Sequence, residues 1–229
     1  MGVSARPGNA GIKLSGGQIE APNTWMPGPA LGLFFHLYLI ADTFSRKIVD
    51  WEVHAREGAE LAAVLIRQAA LAEGCTLRPL VLHAGNGSPM NGATMKTTME
   101  KLGIMASCIR LRVSDDNPFS EAPLRTCKYR PDLPVKGFAT RTDAQARVKS
   151  SASWYNGEHR HSAICFVTPS TRHNERDHQT LASRASLYAN ARAQNPPQWS
   201  GKTRNWQPAG PVWLNPETQI GAPEIRDAA

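Results

Sequence analysis

The side chains best equipped for chemistry in this sequence are scattered carboxylates, two closely spaced histidines and a series of short cationic stretches. Divalent metals such as Mg²⁺ need anionic oxygen ligands that converge in space, and the candidates are Asp42, Asp50, Asp115, Asp116 and Glu121. Asp115 and Asp116 stand just before Pro118, so capping the first turn of a helix competes with a ligand role. Asp42 ends an apolar run ahead of TFSR, a position that suits a turn residue. His159 and His161 flank Arg160 in the manner of a metal pair, but no third ligand lies nearby, and packing or capping at a helix end is the alternative reading. Cys75, Cys108, Cys127 and Cys165 are widely spaced without a CxxC pair, which favours reduced structural thiols over a zinc or redox site. Arg125, Lys128 and Arg130 follow Glu121 at helical spacings and are candidates for DNA phosphates, with an ordinary solvated face as the alternative. The stretches RTCKYR, RVK, HRH and GKTRNW mix cations with Trp and Tyr and offer a backbone-tracking surface on the same terms.

The elements that would position these groups follow from periodicity. Residues 1 to 22 are rich in Gly, Ser, Ala and Pro and read as a flexible leader. LFFHLYLIA (33–41) has the density of a strand, KIVDWEVH (47–54) alternates, and the short TFSR link predicts an antiparallel hairpin. EGAELAAVLIRQAALAE (57–73) places apolar residues three and four apart before Gly74 and predicts an amphipathic helix. A strand at Leu80–His83, a helix at Gly92–Leu102, a strand at Ile104–Cys108 and a helix start at Ser114–Pro118 come next. Thr142–Tyr155 and the segment from Thr168–Pro169 to Gln194 read as further helices, the last stopped by two prolines before an extended basic tail. Strands alternating with helices imply a mixed sheet covered by helices.

DTFSRKIVDWEVH, LHAGNGSPM, VSDDNPFSEAPLRTCKYRP, SWYNGEHRHSAICFVTP and the RNW and VWLNP of the tail, in that order, resemble insertion-sequence transposases of the retroviral-integrase catalytic core family. The likeness runs from about Ala21 to Pro216. It implies an α/β, ribonuclease-H-like fold, with a five-stranded mixed sheet flanked by helices over residues 23–170 and a C-terminal helix and basic tail over 171–229. It also implies three carboxylates holding Mg²⁺ or Mn²⁺ for in-line phosphoryl displacement on DNA. Glu121 stands where the family's glutamate stands, as catalytic and metal-binding residue. The family's His-Ser-Asp-Asn-Gly is His83-Ala84-Gly85-Asn86-Gly87 here, and 35 residues separate Gly85 from Glu121, so the family's spacing is kept without the charge. The first aspartate is missing because Asn23 runs directly into Thr24-Trp25-Met26-Pro27, which implies a truncated first strand. Pro123, just beyond Glu121, disfavours a regular helix there. His83, Asn86 and Asn117 would border the metal and the scissile phosphate in an intact site, and they join the basic residues as nucleic-acid candidates.

These readings predict a transposase fragment that binds DNA non-specifically and does not catalyse strand transfer. The alternatives are an active metal-dependent nuclease with displaced ligands, and a non-catalytic module that oligomerises with itself or with an intact transposase. The balance of 26 Lys and Arg against 19 Asp and Glu gives a net charge of +7, which favours phosphate-rich partners. No apolar stretch has the length of a membrane span and no secretory signal is present, so a cytoplasmic protein is expected.

Overall fold

The computed structural model describes residues 3–5, 11–14, 25–74, 80–84, 92–108, 126, 137–210 and 212–214. Its main sheet is built on a hairpin of β4 (Phe34–Asp42) and β5 (Ile48–His54), as the apolar run, the alternation and the short link predict. On the side of β4 away from β5, two short strands share one edge. β2 (Gly11–Leu14) pairs antiparallel with residues 40–42, and β3 (Trp25–Pro27) pairs antiparallel with residues 34–36. They run in the same direction, so together they occupy one strand position with a break opposite the middle of β4. On its other edge β2 pairs in parallel with β6 (Leu80–Ala84), and β6 pairs in parallel with β7 (Ile104–Cys108). The result is a mixed sheet of five positions.

The leader expectation is corrected here. Residues 1 to 22, read as lacking regular structure, supply β2 and also β1 (Val3–Ala5), which pairs antiparallel with β8 (Val212–Leu214). GIKL is too short to show a period, but the open edges of β4 and β6 offer hydrogen-bonding partners to any extended segment that reaches them. Of the predicted extended tail, Val212–Leu214 forms β8.

Helices cover both faces. α1 (Ala59–Ala72) and α2 (Ala93–Leu102) lie on one, where Leu65, Ile66, Met95 and Met99 pack against Tyr38, Ile40, Leu80 and Leu82. α3 (Arg141–Gly157) lies on the other, with Ala152 and Tyr155 against Leu39, Ala41 and Ile48, and Ala144 and Val148 against Val53. Alternate residues of β4 therefore enter different cores, which is why its sequence is a continuous apolar run rather than a two-faced one. α3 begins where the sequence puts it, because Thr140 and Asp143 form a reciprocal capping box. Gly137 (φ +81°) precedes Phe138, whose N–H donates to Pro27 O at 2.9 Å; a Cβ at 137 would meet Gly28 O at 2.6 Å, so this approach to β3 requires glycine. The predicted helix start at 114–118 lies outside the described residues. Among the described residues, no helix is long and apolar enough to cross a membrane.

α1 starts at Gly58 without a side-chain cap of its own. The hydroxyl of Tyr38, fully buried on β4, takes that role by accepting the Gly58 N–H at 2.9 Å. Tyr38→Phe leaves this donor unpaired and is expected to destabilise the fold by about 1–3 kcal/mol. Urea unfolding checks this; an unchanged midpoint would show that the hydroxyl contributes nothing to holding α1.

Candidate functional site

Of Glu121 and the individual residues set beside it for nucleic-acid contact, the described structure contains His83. It sits near the end of β6, fully buried, in register with Ser107 of β7, and its Nδ1 lies 2.9 Å from Ser107 Oγ. Glu121, Asn86, Asn117, Arg125, Lys128 and Arg130 lie outside the described residues, as do Gly85, Asp115, Asp116 and Pro123. The strand neighbouring β6 is β2, with Lys13 opposite His83 and Ile12 opposite Leu82. Gly, Ile, Lys and Leu are its residues, so among the described residues β2 carries no carboxylate.

The other chemistry-bearing groups resolve into structural roles. His159 stacks on Tyr155 with ring centroids 5.3 Å apart, and His161 Nδ1 accepts the Ala163 N–H, capping a short 3₁₀ turn. Burial and the neighbouring Arg46 cation push the His161 imidazole down to about 4, so it is neutral near pH 7. This agrees with packing and capping rather than a metal pair. Asn156 completes the edge of β5: its Oδ1 accepts from Ile48 N at 2.9 Å and its Nδ2 donates to Ile48 O at 2.8 Å, as a neighbouring strand would. Asp50 accepts from Trp51 N, and burial raises its carboxyl. Cys165 is a free thiol that donates to Gln207 O.

Two linked clusters were not anticipated. The first surrounds Asp42, which is a turn residue as its position suggests: its carboxylate accepts from Phe44 N at 3.1 Å, Ser45 N at 3.2 Å and Ser45 Oγ at 2.5 Å. His173, at the end of the short helix α4 (Pro169–His173), reaches Ser45 Oγ at 3.1 Å and Asp42 Oδ2 at 3.3 Å through Nδ1. Its Nε2 meets Glu73 Oε2 at 2.8 Å, and Lys47 Nζ donates to Glu73 Oε1 at 2.9 Å. Ser, His and Asp are thus adjacent, but hydrogen bonds to the Asp42 and Glu73 carboxylates raise His173 to about 9. An imidazolium at neutral pH cannot act as general base, and Ser45 is fully buried. The cluster is a clamp. Beside it Arg172 is almost completely buried: Nε donates to Phe44 O, one terminal nitrogen to Asp177, the other to Ala209 O, and the guanidinium lies 4.0 Å over the Phe44 ring.

The second cluster joins α5 (Asp177–Gln194) to residues 202–208. Arg184 donates to Cys165 O and Phe166 O, and the Trp206 ring lies near Arg184, Arg204 and Tyr188. Sequence reading ran Thr168 to Gln194 as one helical segment and so missed Arg172 and His173. The break falls at Asn174-Glu175-Arg176, where Glu175 takes φ +55°.

A sheet of five positions, with a central strand antiparallel to one neighbour and parallel to the other and with helices on both faces, is the architecture expected of an integrase-type core. No protein-family model matches the chain. One solved relative in shape is the simian T-cell lymphotropic virus intasome in complex with PP2A regulatory subunit B56 gamma, with TM-score 0.50 and 14% identity over 74% of this chain and 56% of that one. Another is the HTLV-2 integrase catalytic core domain in complex with magnesium, with TM-score 0.47 and 14% identity over 74% of this chain and 97% of that one. The fold is therefore the ribonuclease-H-like fold of integrase catalytic cores. In sequence, 136 residues are 29% identical to the transposase for insertion sequence element IS904 of Lactococcus lactis subsp. lactis (strain IL1403). That match covers 58% of this chain and 53% of the relative, so the chain spans about half the length of the curated transposase it matches. The chain is thus similar in part of its sequence to an insertion-sequence transposase and shares the fold of integrase catalytic cores.

The clamp generates two predictions. The raised pKa of His173 stabilises the fold fully below about 6.5, its ordinary value, and that contribution is lost as pH rises towards 9. The Glu73 carboxyl, held down to about 2 chiefly by its bond to His173, contributes above about 4.5 and loses its contribution as pH falls below that. Urea midpoints across this range should therefore decline on the alkaline side, and His173→Gln should flatten that decline; a parallel profile in the variant would contradict the clamp. Arg172→Met strands the Asp177 carboxylate and is expected to cost about 3–5 kcal/mol, with partial recovery in Arg172→Met/Asp177→Leu. If the double variant is no more stable than the single one, the pair is not the source of the loss.

Proposed function

We propose that this chain is a transposase-derived DNA-binding protein that does not carry out strand transfer. The observation that carries the reading is the strand beside β6. In an integrase-type sheet that strand should present one carboxylate and the end of β6 a second. Here the strand is Gly11–Leu14, without an acid, and β6 runs on in sequence to Gly85. Of the three ligands the family resemblance implies, Glu121 alone remains. Two divalent metals sharing a site need bridging anionic oxygen, so this donor set does not fit the pair, and no metal-assisted step is assigned to the chain. Glycine cannot substitute through its backbone, because a neutral carbonyl supplies no negative charge to hold two dications close together.

DNA binding is supported by the excess of cations, +7 overall, and by the stretch from His178 to Gly210, which holds four Arg or Lys residues and no acid. His83, read in the sequence as a neighbour of the scissile phosphate, is given a structural part: buried and bonded to Ser107, it ties β6 to β7. Arg125, Lys128 and Arg130 remain candidates for phosphate contact.

Incubation with generic DNA and Mg²⁺ or Mn²⁺, followed by cleavage and strand-transfer assays, tests the reading. No metal-dependent product above background is expected from the chain or from Glu121→Gln. Cleavage by the chain that disappears in Glu121→Gln would overturn the proposal in favour of a nuclease with displaced ligands.

A further inference from the structure

We infer that the cleft between α5 and residues 202–208 is a seat for the sugar-phosphate backbone of DNA. The inference rests on the DNA-binding reading above and gives it a location. The cleft has a volume of about 710 Å³, and His178, Arg192, Lys202, Arg204 and Trp206 line it over a floor that includes Leu181. From His178 to Gly210 the sequence contains four Arg or Lys residues, Arg184, Arg192, Lys202 and Arg204, and no Asp or Glu. The acid at the start of α5, Asp177, is buried and paired with Arg172. Positive charge in this region is therefore not neutralised within the segment, and Arg192, Lys202 and Arg204 are all exposed.

The wall is fixed rather than loosely draped. Arg184 is anchored on two carbonyls, and Arg204 lies 4.7 Å from the Phe166 ring centroid and 5.7 Å from that of Trp206. Asn205 Oδ1 accepts from Gln207 N and sets the local turn. The Nε1–H of Trp206 is buried without an acceptor among the described residues, which leaves a donor in the wall unused. Cationic and floored in part by apolar side chains, such a cleft focuses positive potential on an anion that enters it.

The same geometry says which contact is made. Trp206 is occupied by Arg184, Arg204 and Tyr188, so it serves as a staple and not as a platform for stacking bases. Contact is then to phosphates, which are alike at every nucleotide. Binding at this cleft is expected to be indifferent to sequence and steeply dependent on salt.

The test is fluorescence anisotropy of the full chain with labelled duplex and single-stranded DNA of generic sequence over a salt series. Arg192→Glu/Lys202→Glu is compared with Lys96→Glu/Lys101→Glu, which makes the same charge change at exposed positions on α2. Arg192→Gln/Lys202→Gln serves as the milder variant should the charge reversal disturb folding, which thermal melts would reveal. The cleft variants should weaken binding about tenfold and lower the slope of log K against log salt by about 2, one for each lost phosphate contact. The α2 variant should lose much less. Equal losses at both places would overturn the cleft as the seat, as would full binding by the cleft variants, while leaving DNA binding intact. Absence of DNA binding by the unmodified chain, or preference for anionic lipid vesicles over DNA, would overturn both this inference and the DNA-binding reading beneath it.

Discussion

A sheet cannot leave a central position empty. β4 is covered on both faces and paired on one side by β5, and β6 is paired on one side by β7. Their facing edges carry N–H and C=O groups that helices and core side chains shield from water, and each must find a partner or cost free energy. Among the described residues, β3 pairs with residues 34–36 of β4. The remainder of the position is filled by β2, drawn from the N-terminal region, which bridges β4 and β6. The fold is kept by backbone hydrogen bonding, which any extended segment can supply. Which side chains stand on that strand is a separate matter, fixed by residue identity and not by the pairing.

The C-terminal segment is attached by different physics. Arg172 and His173 reach from a short helix into the β4–β5 turn, replacing water at Phe44 O, Asp42 and Glu73 with charge-assisted hydrogen bonds. α5 follows immediately, with Asp177 and Leu181 as its buried residues. An 18-residue helix with so little buried surface is not held by its own core. It is positioned by the Arg172–Asp177 pair at its start and by the Trp206 staple along its flank. Most of its length is left exposed, and the cationic wall faces solvent.

Much of this was legible in the sequence. The β4–β5 hairpin, α1, β6, α2, β7 and α3 lie within a few residues of where periodicity, caps and glycine stops put them, because each buries a face against its neighbours. Asp42 as a turn residue and the histidine pair as packing groups were readable for the same reason: their local neighbours explain them. β2 was not. GIKL has no period, and what makes it a strand is an unfilled edge contributed by residues far away in the chain. Arg172 and His173 were equally hidden, since a buried arginine and a doubly bonded histidine look in sequence like any polar pair on a helix. Trp206 was legible as part of a Trp-rich basic tail. Its role as a staple was not, because that depends on the arginines beside it in space.

The sheet depends on β2 lying between β4 and β6. Amide hydrogen exchange of Ile12, Lys13 and Leu14, followed residue by residue by NMR, addresses that placement directly. Protection close to that of Leu82 on β6 is expected, since amides of a strand paired on both edges exchange only when the sheet opens. Exchange of these three amides at the rate of an unstructured chain, with Leu82 still protected, would contradict it.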